Sequence, residues 1–225
     1  MSGAAFFDLD RTLLSRSSSL ALARPFRTRG LIGRRQLVTA LIAQAVFARV
    51  GAGHGRVGQT ADSAMSVLKG LPVTLMREIA EESWEPVLRP LVYREAVELA
   101  RQHTERGEPV YIVSAALQEV VETIAEKLQL HGALGSQAET HDGVYTGRLA
   151  RRLYGPAKAE ALAELASETG IDLEASTGYS DSYTDRAFLE AVGHPVVVNP
   201  DRALRRLAGE RNWPVLRFRD QLQPA

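Results

Sequence analysis

The first residues able to do chemistry are two carboxylates that follow a short apolar stretch near the start of the chain. Residues 4–7 are apolar, and Asp8 and Asp10 come immediately after them, one residue apart. A buried strand that ends in charged residues is typical of open parallel sheets, which bind ligands at the carboxyl ends of their strands. Where the strand turns, both carboxylates can converge on a hard cation such as Mg²⁺, and a carboxylate can also attack phosphorus. Thr12 adds a hydroxyl group on the same turn. These residues alone are equally compatible with an aspartate-rich surface turn.

Four more polar residues occupy comparable positions later in the chain. Ser114 follows a second apolar stretch, and Lys158 lies at the start of a predicted helix. Asp181 follows a third apolar stretch, and Asp185 comes four residues later. In an open α/β sheet these positions line one crevice. Phosphoryl transfer needs a cation and hydrogen-bond donors around the phosphate, a nucleophile in line, and an acid for the departing oxygen. The residues include all of these groups.

Strands and helices alternate from residue 91 onward, which predicts a parallel sheet with helices on both faces. The predicted strands are residues 109–114, 176–179, 195–200 and 215–218, in addition to the first strand. The predicted helices are residues 93–105, 115–130, 157–169, 184–192 and 201–211. Residues 132–135 suggest a short strand or turn, and Asp142-Gly143 is a hairpin signal between polar alternating flanks.

Residues 16–90 have a different pattern, because helical spacing continues there without strand alternation. The serines at 17–19 can cap a helix that ends near Thr28. Further helices are predicted over residues 34–50, 57–69 and 71–86. We therefore predict two domains: a Rossmann-like α/β core of residues 1–15 and 91–225, and an inserted all-helical cap of residues 16–90.

The composition excludes several classes of protein. The 225 residues include 27 basic and 27 acidic side chains, a balance that argues against nucleic-acid binding. The chain has no cysteine, so disulfides, thiolate chemistry and cysteine-based zinc or iron–sulfur sites are excluded. Residues 37–50 form the longest apolar-rich stretch, which is too short to span a bilayer, and no signal layout precedes the first strand. We expect a soluble, cytoplasmic protein without a membrane partner; its oligomeric state stays open.

The order of the motifs resembles the haloacid dehalogenase-like phosphatases, and within them the branch similar to phosphoserine phosphatases. Residues 7–13, Phe-Asp-Leu-Asp-Arg-Thr-Leu, match the D-x-D-x-T loop of that family. Ser114 matches its second motif, a hydroxyl residue after a hydrophobic strand, and Lys158 matches its lysine. Asp181 and Asp185 match its final D-x-x-x-D motif. The resemblance covers nearly the whole chain and implies an α/β core with a cap.

Residue by residue, the resemblance implies a division of roles. Asp8 would attack phosphorus and become a transient aspartyl phosphate. Asp10 would protonate the leaving alcohol and then activate water. Mg²⁺ would be held by the Asp8 carboxylate, the Asp10 backbone carbonyl and Asp181, with Asp185 supporting those ligands. This agrees with the physical argument that several clustered carboxylates repel one another without a divalent ion and a lysine.

The resemblance also implies that Ser114 and Lys158 bind the phosphate group, with Thr12 as a further phosphate-binding candidate. Thr12 and Ser182 are equally suited to capping a turn. The alternative role for Asp185 is that of a negative charge near the N-terminus of a helix, where the helix dipole favours it. Arg11 occupies a variable motif position, and we expect it to face solvent or the cap.

The substrate is where the chain departs from phosphoserine phosphatases. The position of the glutamate that pairs with the substrate ammonium is Ser17, and that of the arginine that pairs with the carboxylate is Ala64. Two substrate charges would thus be unpaired, which is costly. We predict a small or medium organic phosphate and hypothesise a larger or less polar leaving group. The alternatives are a phosphoserine phosphatase proper, a phosphotransferase, and a non-catalytic phosphate-ligand-binding regulatory module.

Several other residues are predicted to be structural. The histidines show no metal-ligand spacing, so we expect surface or loop positions for His54, His103, His131, His141 and His194. The arginines at 24, 27, 29, 34 and 35 indicate a solvated helix face, with an anionic-substrate or membrane-surface patch as the alternative. Trp84 and Trp213 are expected to be packing residues.

Overall fold

The sheet that the alternating pattern predicts is present. The structure, a computed structural model, describes residues 2–33, 65 and 67–223. Among these residues, seven strands form one sheet in the order β4-β3-β2-β1-β5-β6-β7. Neighbouring strands are parallel except β3 and β4, which form an antiparallel hairpin. The strands are β1 (Ala5–Phe7), β2 (Val110–Leu117), β3 (Gly132–His141), β4 (Val144–Arg151), β5 (Thr177–Ser180), β6 (His194–Val198) and β7 (Val215–Leu216).

Helices cover both faces of the sheet, as predicted. They are α1 (Ser18–Thr28), α2 (Val73–Glu82), α3 (Arg94–Glu105), α4 (Gln118–Lys127), α5 (Pro156–Thr169), α6 (Arg186–Glu190) and α7 (Arg202–Arg211). Side chains of a strand point alternately to the two faces. Ala5 and Phe7 therefore join one apolar cluster with α3 and α4, while Ala4 and Phe6 join a second cluster with α5, α6 and α7.

The described part of residues 16–90 is helical, as predicted. Ser17 caps α1 by accepting a hydrogen bond from the Leu20 N–H. After α2 the chain forms a π-helical turn (Trp84–Leu88) and a 3₁₀ turn (Arg89–Leu91). The predicted helix 34–50 and most of the predicted helix 57–69 lie outside the described residues. Within the part that the structure describes, no helix has the length and apolar character needed to cross a membrane.

Residues 70–73 connect this helical segment to the β3–β4 hairpin by three backbone hydrogen bonds. The Gly70 N–H donates to the Tyr145 carbonyl (2.9 Å), and the Tyr145 N–H donates to the Leu71 carbonyl (3.0 Å). The Val73 N–H donates to the Gly143 carbonyl (3.0 Å). The hairpin therefore lies against the chain that leads into α2.

Several predicted boundaries are wrong. β2 continues past Ser114, and α4 begins at Gln118 instead of Ala115, because Leu117 still pairs with Ser136 of β3 beyond an irregularity in the register. The predicted short strand or turn at 132–135 is the start of a ten-residue strand. The predicted helix 184–192 is a 3₁₀ turn (Tyr183–Asp185) followed by the short helix α6.

Candidate active site

A buried ion-pair cluster lies at the carboxyl ends of β1 and β5. The Lys158 ammonium group donates to Oδ1 of Asp8 at 2.6 Å and to Oδ2 of Asp185 at 2.7 Å. The lysine side chain is 3% exposed, and the two carboxylates are also buried. Such a cluster lies in a low-dielectric setting, where each charge depends on its partners. Residues 150 positions apart in sequence thus meet in one place, as the motif order predicted.

The sheet register brings these residues together. Phe7 pairs with Ile112 of β2 and with Tyr179 of β5, so the end of β1 lies between these two strands. The Asp8 N–H donates to the Tyr179 carbonyl at 2.9 Å, which fixes the backbone where the nucleophile candidate leaves the sheet. Lys158 belongs to the first turn of α5, which Gly155 enters with a φ of 59° that glycine tolerates well.

Burial strongly perturbs the acids of the site. Burial raises the pKa of Asp8 to about 7, and the ammonium group of Lys158 works in the opposite direction. Burial also raises the pKa of Asp181 to about 8; the carboxylate of Asp8 adds to this rise, and Arg11 opposes it. The two aspartates keep the pKa of Lys158 above its usual value in spite of its burial. Titratable groups perturbed in this way are typical of functional sites.

Asp10 is held by the start of α1. Its Oδ1 atom accepts a hydrogen bond from the Ser18 N–H at 2.8 Å. Burial raises the pKa of Asp10, while the hydrogen bonds from Ser18 and Ser17 lower it. A carboxyl group with a raised pKa is better suited to donating a proton near neutral pH.

The two predicted phosphate-binding hydroxyl groups are both buried. Thr12 has no exposed surface, and its Oγ1 atom has no hydrogen-bond partner among the described residues. Ser114 is 2% exposed, and its Oγ atom accepts from the Ala116 N–H at 3.1 Å, so its own proton is available for donation. Because an unpaired buried hydroxyl is costly, Thr12 fits a position that contacts an anionic ligand.

The side chains of the site supply only some of the ligands that a hard divalent cation needs. Asp8 and Asp181 offer carboxylate oxygens, the ligand type that Mg²⁺ prefers. Asp185 instead accepts hydrogen bonds from Lys158 and from Ser180 (2.8 Å). Over residues 2–33 and 67–223, no three acidic or histidine side chains converge as a complete metal site. A cation here would therefore take its other ligands from backbone oxygens, water or the bound phosphate.

Sequence reasoning missed three features of the site region. Ser180 anchors Asp185, and only its place directly before Asp181 could have indicated this. Arg11 was expected to face solvent or the cap; its side chain is 56% exposed, but its Nε atom also lies 3.7 Å from Oδ2 of Asp181. The surface position predicted for His103 is wrong, as it is 3% exposed and hydrogen-bonded to the Tyr179 hydroxyl at 2.7 Å.

The basic cluster near α1 is only partly described. Arg29 forms an ion pair with Glu82 and lies 3.9 Å from Glu78, so this part behaves as the predicted solvated helix face. Arg34 and Arg35 lie outside the described residues. Of the histidines, His131, His141 and His194 are exposed as predicted, and His54 is outside the described residues.

Comparison with known proteins identifies the family of the chain. A sequence profile of the haloacid dehalogenase-like hydrolases matches residues 5–190. The chain belongs to this family. It is an enzyme of the phosphatase type, in the branch similar to phosphoserine phosphatases, as the motif order predicted.

Three similar proteins illustrate the relationship. A protein of Mycobacterium tuberculosis named probable phosphatase is 42% identical over 215 residues, which cover 96% of this chain and 75% of the relative. A protein of the same organism named phosphoserine phosphatase is 37% identical over 221 residues, which cover 97% of this chain and 72% of the relative. A crystal structure of a protein of unknown function from Bordetella pertussis superposes with a TM-score of 0.82 at 27% identity, covering 96% of this chain and 98% of that one.

Proposed function

We propose that the protein is a Mg²⁺-dependent phosphomonoesterase that hydrolyses a small or medium organic phosphate through an aspartyl-phosphate intermediate on Asp8. The observation that supports this best is the buried bridge from Lys158 to Asp8 and Asp185. A lysine at this position counters the charge of the clustered acids and can also contact an incoming phosphate. Family membership supports the reaction class, hydrolysis of phosphate esters.

The proposed first step is a transfer of the phosphoryl group to the protein. A carboxylate oxygen of Asp8 forms a bond to phosphorus while the bond from phosphorus to the ester oxygen breaks. Asp10 gives its proton to the departing oxygen, and its raised pKa favours the protonated form that this step needs. Lys158, Ser114 and Thr12 would bind the phosphate oxygens through one ammonium and two hydroxyl groups.

The proposed second step regenerates the enzyme. Asp10, now deprotonated, accepts a proton from water, and the water oxygen attacks the phosphorus of the aspartyl phosphate. The bond between phosphorus and Asp8 breaks, which releases inorganic phosphate. We propose that Asp8, the Asp10 backbone carbonyl and Asp181 hold Mg²⁺, with Asp185 supporting that arrangement. When bound, the ion would neutralise charge on the phosphate oxygens.

We propose that residues 16–90 are the cap that selects the leaving group and residues 1–15 and 91–225 the catalytic core. Phosphoserine is not the preferred substrate in this proposal, because Ser17 and Ala64 replace the two charged partners that its amino and carboxylate groups require. The Ser17 side chain is also engaged in capping α1. A larger or less polar leaving group is the hypothesis that these residues favour.

A panel of phosphate esters tests the proposal. Wild-type protein with Mg²⁺ is expected to release phosphate from at least one ester, and chelation of the metal is expected to abolish the release. Asp8→Asn should lose at least about 1,000-fold in kcat, because it removes the nucleophile.

The same panel separates the alternatives. With added alcohol acceptors, a phosphotransferase would form a phosphorylated alcohol as product. Absence of Mg²⁺-stimulated turnover on every ester would favour the non-catalytic module, and a large preference for phosphoserine would contradict the substrate hypothesis.

A further inference from the structure

Arg11 occupies a turn that does not itself require arginine. Its φ is 69°, in the left-handed region, where a residue with a Cβ atom is less stable than glycine. More than half of its side chain is exposed, so packing does not explain it either. What distinguishes the position is its neighbour, because the Nε atom lies 3.7 Å from Oδ2 of the buried Asp181.

Asp181 differs from the other buried acids of the site in its cationic partner. Lys158 donates to Asp8 and to Asp185, and that lysine is buried with them. Asp181 instead faces the guanidinium group of Arg11, which reaches it from the solvent side. Because more than half of the Arg11 side chain is exposed, its guanidinium group can move away from Asp181 without breaking the Lys158 cluster.

We propose that Arg11 is a tethered countercharge that competes with Mg²⁺ for Asp181 and thereby weakens the affinity of the metal site. The inference rests on the proposed function, because it uses the metal site placed there at Asp8 and Asp181. A cation that takes the carboxylate of Asp181 must displace the guanidinium group or bind beside it. Both alternatives oppose metal binding, the first by loss of an ion pair and the second by repulsion between like charges.

The competition has a second consequence for the site. In the metal-free protein, Arg11 compensates the negative charge of Asp181 whenever that carboxyl group is ionised, and it limits the repulsion from Asp8. A bound metal would take over this role and leave Arg11 either displaced towards solvent or next to a like charge. Removing the charge of Arg11 should therefore tighten metal binding, which is the opposite of what damage to a metal site produces.

Titration calorimetry with Mg²⁺ alone tests the proposal at physiological salt. Arg11→Gln is expected to bind Mg²⁺ about tenfold more tightly than wild type, since it removes a unit charge next to a divalent ion. Arg11→Lys keeps the charge and should stay near the wild-type affinity. Arg186→Gln is the matched control, because Arg186 is also about half exposed but pairs with Glu190 at 3.0 Å; its affinity should remain within about twofold of wild type. The gain of Arg11→Gln should shrink as salt is added.

The melting temperature is a second measurement, which also shows whether each variant is folded. The rise in melting temperature on adding Mg²⁺ should be larger for Arg11→Gln than for wild type. Equal or weaker Mg²⁺ binding by a folded Arg11→Gln would overturn the proposal. Asp181→Asn separates this failure from that of the proposed function: if it binds Mg²⁺ as well as wild type does, the metal site itself is misassigned. Loss of binding in Asp181→Asn together with no change in Arg11→Gln rejects only the role of Arg11.

Discussion

At the scale of single residues, Lys158 is the buried cation that compensates the clustered acids. It is buried and bonded to both Asp8 and Asp185, so it is the counter-ion of two groups at once. Breaking a buried ion pair by removing one partner is far more costly than the pair is stabilising, because the remaining charge stays buried without a partner. Lys158 therefore links the stability of the site to the chemistry proposed for it.

The substitution Lys158→Met should lower both the activity and the stability of the protein. We expect kcat/KM to fall by at least about 100-fold and the free energy of unfolding to fall by about 3–5 kcal/mol. The loss of stability should be larger at pH 8 than at pH 6, since burial raises the pKa of Asp8 to about 7 and its protonation below that pH removes one of the two buried negative charges. Urea unfolding at both pH values measures this. Lys127→Met, which removes a charge from an exposed residue of α4, is the control and should change stability by less than about 0.5 kcal/mol. Equal losses in both variants would contradict the role assigned to Lys158.

At the scale of elements, α3 and β5 are joined by a buried polar contact that the sequence pattern did not predict. His103 of α3 is hydrogen-bonded through Nε2 to the Tyr179 hydroxyl, and its Nδ1 side faces Glu108 and Arg106. The Tyr179 ring stacks on Phe7 with 4.2 Å between the ring centroids. Phe7 directly precedes the nucleophile candidate, so this contact helps fix the strand ends beneath the site.

The contact gives stability a defined pH dependence. Burial lowers the pKa of His103 below its usual 6.5, although Glu108 opposes the shift. Below about pH 6.5 the unfolded chain binds a proton on this residue that the folded protein binds less well, so acidification favours unfolding. Between pH 7.5 and 5.5 wild type should lose more stability than His103→Gln does in urea unfolding, up to a limit of about 1.4 kcal/mol for a histidine that is protonated only in the unfolded chain. His141→Gln, the same substitution at an exposed position, is the control. An identical pH dependence in wild type and His103→Gln would refute this assignment.

The β3–β4 hairpin depends on its turn residues. Asp142 and Gly143 have φ values of 50° and 77°, which suit the primed turns that match strand twist. Gly143→Ala should lower the free energy of unfolding by about 1 kcal/mol through the backbone alone, because no atom lies within 4 Å of the added methyl group. The matched substitution is Gly209→Ala in the exposed part of α7, which should raise stability by about 0.5–1 kcal/mol. Thermal melts of the two variants should therefore shift in opposite directions, and shifts of the same sign would contradict this.

The elements show which parts of the structure local sequence determines. The hairpin turn could be predicted because Asp142-Gly143 has a conformational preference that acts within two residues. The end of β2 could not, because Leu117 is held in the sheet by its partner Ser136 on another strand. His103 has no spacing to distinguish it from a surface histidine, and only packing against Tyr179 buries it. The positions of Asp8, Lys158 and Asp181 could be predicted because each follows a recognisable strand or begins a helix, while their roles in catalysis stay a prediction.

At the scale of the whole molecule, the described parts of the proposed cap and core share one interior. Leu22 of α1 and Ile79 of α2 belong to the same apolar cluster as Phe7 of β1 and Ile124 of α4. Arg77 of α2 also pairs with Glu122 (2.7 Å) and Glu126 (3.2 Å) of α4 at its rim. An interior that is continuous across two segments favours cooperative unfolding.

The two tryptophans can test this cooperativity separately. Trp84 lies in the helical segment of residues 16–90, and Trp213 packs against the apolar cluster on the other face of the sheet. Replacing one with Phe leaves the other as the fluorescence reporter, since the chain has only these two. Ile79→Ala, which truncates a side chain that is 1% exposed, should cost about 2–4 kcal/mol. In urea unfolding, the midpoints reported by the two tryptophans should move to lower denaturant concentration by the same amount, because one apolar cluster links the segments. If only the Trp84 signal moves, the helical segment unfolds on its own and the shared interior does not couple it to the sheet.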